Sequence, residues 1–354
     1  MRVLHLNPDP GIRPGQSKGA AVHVQAMRKA FAQLGAQVLS LDESDEAKIE
    51  QRLEQAWAEG GLGLLYERFA LHAYAGGEFA RRKRLAHVLE VNSPLDEEAA
   101  RFRPRAYRTL DTARLRALIG GATRLLCVSS SVAAWALRRG GREEQILVAG
   151  NGVDGCAFHP ARRALGLLAG HTPPGAFVVG FHGRLRPWHG FERLVEAVAR
   201  LRARGLPIHL LLIGKGEFAA CIGDRLPRAC WTHVPWCEYD EVGALVATFD
   251  VLPLCYDPTQ PCYFSPLKLL EGMAAGALAV VPALGDLAET VLQGRAGVIY
   301  DPRDPGGLEN AIAMAYQCPS LRSTLTGVAR RVAEARSWRS IAQGVLAGTA
   351  EAPR

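Results

Sequence analysis

No stretch of the chain approaches the ~20 consecutive apolar residues that a bilayer-spanning helix needs. Residues 1–10 (MRVLHLNPDP) lack a basic start followed by an apolar run, so a cytoplasmic protein without a leader is expected. The eight cysteines are scattered and form no C-x-x-C pair, which argues against a zinc knuckle and a disulfide framework. Neither D-x-D nor H-E-x-x-H occurs, so metal-cage chemistry is disfavoured. The net charge of +7 comes with no basic tail and no interleaved aromatics, so anionic small molecules fit better than nucleic acid. Lysine is scarce, with six against an abundance of arginine, and Lys18, Lys215 and Lys268 fall in glycine-containing loops or at a helix start.

What is present describes a packed protein of about two domains: 354 residues, 48% apolar and 22% charged. The run at 2–7 reads as a buried strand, and those at 37–42, 62–66, 87–92, 124–129 and 146–149 as further strands. Ala20, Val24, Met27, Phe31 and Leu34 recur at helical spacing over 19–34, with Gly35 placed for a left-handed cap. The pattern restarts after about residue 155: strands at 177–181, 208–213, 231–235, 250–254 and 278–281 alternate with helices at 190–204, 238–248 and 266–275. Further alternating elements reach about 316, and helices near 319–335 and 338–348 close the chain. Two doubly wound parallel sheets in series are predicted, covering 1–155 and 156–335, with a cleft at their strand ends as the ligand side and a last helix, in 336–354, returning to the first domain.

The clearest chemical signal is Ser265-Pro266-Leu267-Lys268-Leu269-Leu270-Glu271. Serine and proline are favoured at the cap and first position of a helix. Lys268 stands where a capping box would place Glu or Gln, against the positive end of the helix dipole, which costs roughly 0.3–1 kcal/mol unless an anion lies nearby. An anion would also take the N–H groups of Leu267 and Lys268. The alternative is a surface lysine snorkelling into water. Glu271 suits a vicinal diol such as a ribose, or else an i, i+3 ion pair with Lys268.

Three other glycine loops compete. Residues 183–190 (GRLRPWHG) follow a strand, and their guanidinium groups suit a diphosphate; a solvated loop is the other reading. Residues 15–21 (GQSKGAA) open the first helix with small residues. Residues 214–219 (GKGEFA) match G-x-G-x-x-A in form, which leaves a nicotinamide enzyme as a minor reading. Arg81, Arg82, Lys83 and Arg84, with Arg101, Arg103, Arg105 and Arg108, form either solvated faces or a contact with an anionic acceptor or a membrane surface.

In this order, Lys18-Gly19-Ala20-Ala21-Val22-His23-Val24, Tyr66-Glu67-Arg68, Leu89 to Leu95 (LEVNSPL), Asn151-Gly152-Val153-Asp154, residues 183–190 and Phe264 to Glu271 (FSPLKLLE) resemble the family 4 retaining glycosyltransferases of the GT-B fold. The P-W-H-G and F-S-P-L-K segments resemble one subset of that family. The resemblance covers nearly the whole chain and implies two Rossmann-like domains that bind a nucleotide sugar. By it, Gly19, Arg184, His189, Ser265, Leu267 and Lys268 would lie at the donor phosphates and Glu271 at the ribose. Val234, Trp236 and Cys237 would lie near the base, and His23, Glu90, Asn92 and Tyr263 on the sugar or acceptor side. Two positions depart from the family pattern: Tyr263 replaces the first glutamate of Glu-x7-Glu, and His189 replaces the usual phosphate lysine, with Arg186 and Lys268 placed to restore its charge.

The implied reaction is metal-independent transfer with retention to a small-molecule, glycan or lipid-linked acceptor. It needs no cofactor beyond the nucleotide-sugar co-substrate, a UDP-sugar by family frequency. Arg184 and Lys268 would stabilise charge growing on the leaving diphosphate. An epimerase or phosphorylase relative, and a catalytically silent sugar-nucleotide-binding subunit, are the alternatives.

Overall fold

The computed structural model describes every residue except 14, 16–18, 164–171, 261, 264, 266 and 351–354. The chain forms two α/β units. The first comprises Met1–Asn151, Tyr263–Ser265 and Trp338–Arg354; the second comprises Gly152–Cys262 and Pro266–Ser337.

The first unit is built on β1 (Arg2–Asn7), β2 (Gln37–Asp42), β3 (Leu64–Arg68), β4 (His87–Val91), β5 (Arg124–Cys127) and β6 (Ile146–Val148). They form one parallel sheet in the order β2-β1-β3-β4-β5-β6. β3 and β4 are buried along their whole length, as expected of parallel strands covered by helices on both faces. Leu4, Leu6, Ile49, Leu53, Leu65 and Phe79 make one core cluster, and Leu89, Val91, Leu125 and Trp135 anchor another. The closing helix Trp338–Ala350 packs on Gly19–Gln33, with the Trp338 ring edge-on to His23 at 4.7 Å, and Arg124 Nε donates to the Gly348 carbonyl at 2.8 Å.

The second unit carries β7 (Phe177–His182), β8 (Ile208–Ile213), β9 (Trp231–Val234), β10 (Val251–Pro253), β11 (Leu278–Pro282) and β12 (Gly297–Tyr300). Their parallel order, β12-β11-β10-β7-β8-β9, is that of a doubly wound dinucleotide-type sheet. The order reverses between β7 and β10. Ligands of such sheets sit beyond the carboxyl ends of the strands at that reversal. Beneath it Phe181, Phe191 and Phe218 stack edge to face, with centroids 5.2–5.6 Å apart, and form a rigid aromatic floor.

The two doubly wound parallel sheets are therefore as predicted. The first segment of the first unit ends at Asn151, four residues before the predicted 155. The Asn151 amide N–H donates to the Ser265 hydroxyl within the first unit. Val153 N–H, by contrast, donates to the Arg336 carbonyl at 3.0 Å and bridges to Ser337 within the second. Helices Glu46–Ala58, Ala75–Lys83 and Thr112–Gly121 add to the predicted elements.

Candidate functional site

β7 ends in His182, and Gly183 turns the chain with φ +96°. A Cβ at Gly183 would stand 3.1 Å from Lys268 Cε, so glycine supplies both the left-handed conformation and the approach of the lysine stem. Gly190 closes the same loop at φ +57°, where a Cβ would meet the Cys255 carbonyl oxygen at 1.9 Å. Gly190→Ala is therefore expected to destabilise the protein by at least ~2 kcal/mol, the left-handed penalty plus the clash. Thermal unfolding measures this, and a melting temperature equal to wild type would contradict it.

The helix Leu267–Ala275 starts beside this loop. Lys268 does not snorkel into water. Its Nζ lies 3.1 Å from His189 Nε2 and 3.4 Å from Nδ1, and 4.3 Å over the Phe181 ring. Burial is the main cause that pushes its pKa down, to about 7; Glu271 opposes the shift and Arg186 adds to it. Glu271 makes no ion pair with Lys268 among the described residues. It is buried, and its Oε2 lies 2.8 Å from His182 Nε2. The sequence signal for His182 is slight, a histidine at a strand end directly before Gly183. Arg184 is exposed and has no acidic partner among the described residues.

The structure gives several of the expected site residues protein partners. At His189, burial first, then Lys268 and Arg186, push the pKa down to about 2. Its Nδ1 accepts from Arg186 N–H at 3.1 Å, so it positions the loop and the lysine. The Ser265 hydroxyl accepts from Asn151 N–H at 3.0 Å, and its carbonyl accepts from the Asn151 side chain, so Ser265 is committed within the first unit. Tyr263, expected near the transferred sugar, donates its hydroxyl to Glu98 Oε1 at 2.7 Å, and its carbonyl accepts from Ser129 Oγ at 2.5 Å. Its ring packs on the cluster holding Phe69 and Trp135.

The Gly214–Gly216 loop is not an open dinucleotide cradle. A Cβ at Gly214 would meet the Gly183 carbonyl at 2.6 Å and one at Gly216 the Leu185 Cβ at 2.4 Å, while Leu185 N–H donates to the Lys215 carbonyl at 2.8 Å. These glycines pack one loop on another. Gly214 N–H also donates to the Val234 carbonyl at 2.8 Å, which ties the end of β9 to the same strand-end cluster. Beyond it Trp236 is exposed and Cys237 half-buried, with burial, Glu241 and Glu238 pushing its thiol pKa up.

In the first unit Glu90 is fully buried and its carboxylate is saturated. Tyr66 and Asn92 donate to it, Arg68 Nη1 lies at 2.5 Å, and His23 Nε2 at 2.9 Å. Burial works against the charge, but His23 and Arg68 outweigh it and hold the pKa well below the carboxylate range. Glu90 thus has no oxygen left for an acceptor and acts through its partners. His23 Nδ1 lies 2.6 Å from Asn151 Oδ1. Gly19 opens the helix Gly19–Gln33 and is exposed. Lys18, and Phe264 and Pro266 of the F-S-P-L-K segment, lie outside the described residues.

Residues 176–336, nearly all of the strand-bearing part of the second unit, match the family described as Glycosyl transferases group 1. The chain is 27% identical over 318 residues to D-inositol 3-phosphate glycosyltransferase of Arthrobacter sp. (strain FB24), covering 84% of this chain and 72% of the relative. It is 28% identical over 196 residues to GDP-mannose-dependent alpha-mannosyltransferase of Corynebacterium glutamicum, covering 55% and 45% respectively. Apart from the Arthrobacter match, the chain spans about half the length of the curated relatives it matches. The solved structure of Anabaena HepE in complex with UDP-glucose shares the fold, with TM-score 0.74 at 19% identity over 98% of this chain and 99% of that one. The fold is GT-B.

Proposed function

We propose that the protein is a family 4-type glycosyltransferase that moves a hexose, with retention and without a metal, from a nucleoside-diphosphate sugar to a hydroxyl-bearing acceptor. The observation that carries this reading is the Lys268 ammonium on the first turn of Leu267–Ala275, held 3.1 Å from His189 behind Gly183 at the strand-order reversal. In this reading the diphosphate accepts from Lys268 Nζ, from the Arg184 guanidinium and from the first-turn N–H groups of Leu267 and Lys268. Glu271 takes ribose hydroxyls with Oε1, while His182 steadies Oε2. The base lies along Val234, Trp236 and Cys237.

As the bond from C1 to the diphosphate oxygen breaks, negative charge grows on the leaving group, and the fixed cations stabilise it more than they stabilise the ground state. The acceptor oxygen bonds C1 from the same face, and its proton passes to the departing phosphate. Two cations and a helix terminus at the diphosphate do the work a metal does elsewhere. On the first unit we assign acceptor contacts to Asn92 and His23, which Glu90 holds in place.

The relatives' names support a nucleotide-sugar donor, GDP-mannose for one and UDP-glucose for the Anabaena structure. We favour UDP. A thermal-shift panel of UDP, GDP, ADP and dTDP with their sugars tests the donor class, since a ligand of the folded state raises its melting temperature; no shift with any of them would refute it. Proton NMR of the product from an α-linked donor is expected to show an α linkage, and a β linkage would overturn retention. A second reading, a sugar-nucleotide-binding subunit without turnover, draws on the neutral His189 and the engaged Tyr263; donor binding with no consumption in any acceptor extract would favour it.

A further inference from the structure

The two arginine-rich stretches, alike in sequence, differ in structure. In the first, Arg82 pairs with Glu50 and Glu54, and Lys83 pairs with Glu54 and lies over the Trp57 and Phe79 rings. Arg81 and Arg84 have no acidic partner among the described residues, so that face is neutralised at Arg82 and Lys83. In the second, residues 101–109 run through the end of helix Leu95–Phe102 and the short helix Pro104–Arg108, and every residue but the half-buried Ala106 is exposed.

The acidic neighbours of this second stretch are already engaged. Asp96 accepts from Trp135 and Arg139, and Glu97 pairs with Arg138 and Arg139. Asp111 caps the helix Thr112–Gly121 through the N–H groups of Ala113 and Arg114. Glu98 holds the Tyr263 hydroxyl at 2.7 Å and reaches Arg103 only at 4.0 Å. Arg105 and Arg108 have no acidic partner among the described residues. Among these cations Phe102 is 66% and Tyr107 46% exposed, and Arg101 lies over the Phe102 ring at 5.0 Å.

We propose that this turn is a membrane-docking surface for anionic phospholipid headgroups, with Phe102 and Tyr107 entering the interface and Arg103, Arg105 and Arg108 meeting lipid phosphates. Exposed aromatics amid arginines match the chemistry of an interface: rings at the headgroup level, guanidinium groups on phosphate. A single-stranded nucleic acid would need a groove with successive stacking platforms, whereas the two rings here stand on neighbouring short helices joined by a single residue. The proposal stands independently of the reaction assigned above and implies an acceptor, or a product, handled at a membrane surface.

The test is co-sedimentation of the full chain with vesicles of phosphatidylglycerol and phosphatidylcholine against vesicles of phosphatidylcholine alone. Wild type is expected to partition to the anionic vesicles only, and less so as salt rises. Each arginine contributes about fivefold, so R103Q/R105Q/R108Q is expected to lose on the order of a hundredfold in partitioning. F102S/Y107S is expected to lose a smaller, salt-independent part. Circular dichroism checks that both variants fold, as substitutions at exposed positions should. Absence of wild-type binding, equal binding by the triple variant, or preference for a single-stranded oligonucleotide competed against the vesicles would each overturn the proposal.

Discussion

Lys268→Gln is expected to weaken nucleoside-diphosphate binding by roughly ten- to a hundredfold at pH 7, the equivalent of ~1.5–3 kcal/mol for a hydrogen bond to a charged group. It is also expected to remove most of the pH dependence of binding. The reason lies in the hydrogen bonds of His189. Its Nδ1 accepts from Arg186 N–H, and its pKa near 2 leaves the ring neutral, so Lys268 Nζ, 3.1 Å from Nε2 and 3.4 Å from Nδ1, gains no counter-charge from it. That geometry favours a neutral amine, as does the burial that brings the Lys268 pKa to about 7. A diphosphate favours the ammonium and raises that pKa, so binding takes up a proton. Affinity should then level off below about pH 7 and fall by on the order of tenfold per pH unit above it, until the pKa of the bound state is reached. Titration calorimetry of UDP from pH 6 to 9, in buffers of different ionisation enthalpy, reads both the affinity and the proton count. A wild-type affinity independent of pH, or a slope that survives in Lys268→Gln, would show that Lys268 does not carry the proton.

Local signals carried most of the scaffold. Strands at 2–7, 37–42 and 208–213 match to the residue because short runs with three to five apolar positions in six, set beside turn formers, admit few alternatives. The left-handed glycines at 183 and 190 and the helix start near 267 are also local in origin, and they marked the site. Helix Glu46–Ala58 had a readable cap in Asp45 and a stripe of Ile49, Leu53 and Ala56, yet its charged faces masked it. Helix Ala75–Lys83 has no cap of its own: Glu46 supplies one by accepting from Tyr74 and Ala75 N–H, a contact across 28 or 29 residues that no window of sequence contains.

The same distinction governs the site. Sequence spacing offered Glu271 a partner one turn away in Lys268, but the fold brought His182 from 89 residues upstream, and the lysine turned to Phe181 and His189 instead. Tyr263 stands where the family pattern places a sugar contact, and only the fold reveals Glu98, 165 residues distant, as the acceptor of its proton. Type and spacing thus located the chemistry, while long-range pairing decided which groups remain available for it.

The largest effect on stability is expected at Glu90. Glu90→Ala would leave Arg68 buried beside a cavity with its counter-charge gone and take from His23 its carboxylate neighbour, which costs about 3–5 kcal/mol. For domains of this size that lowers the melting temperature by roughly 6–20 °C. Glu90→Gln, of nearly the same shape, keeps an acceptor for Tyr66 or Arg68 and should lose less. The pH dependence separates charge from shape. His23 and Arg68 hold the folded Glu90 pKa below its ordinary 4.5 despite burial, so the folded state binds fewer protons than the unfolded chain between the two values. The stabilisation is complete above about pH 4.5 and is lost as the pH falls towards the folded value. Wild type should therefore lose stability more steeply than Glu90→Gln below pH 4.5, and denaturant unfolding followed between pH 3 and 7 measures that difference. Parallel acid limbs in the two proteins would mean that Glu90 contributes through packing alone and that its partners gain nothing from its charge.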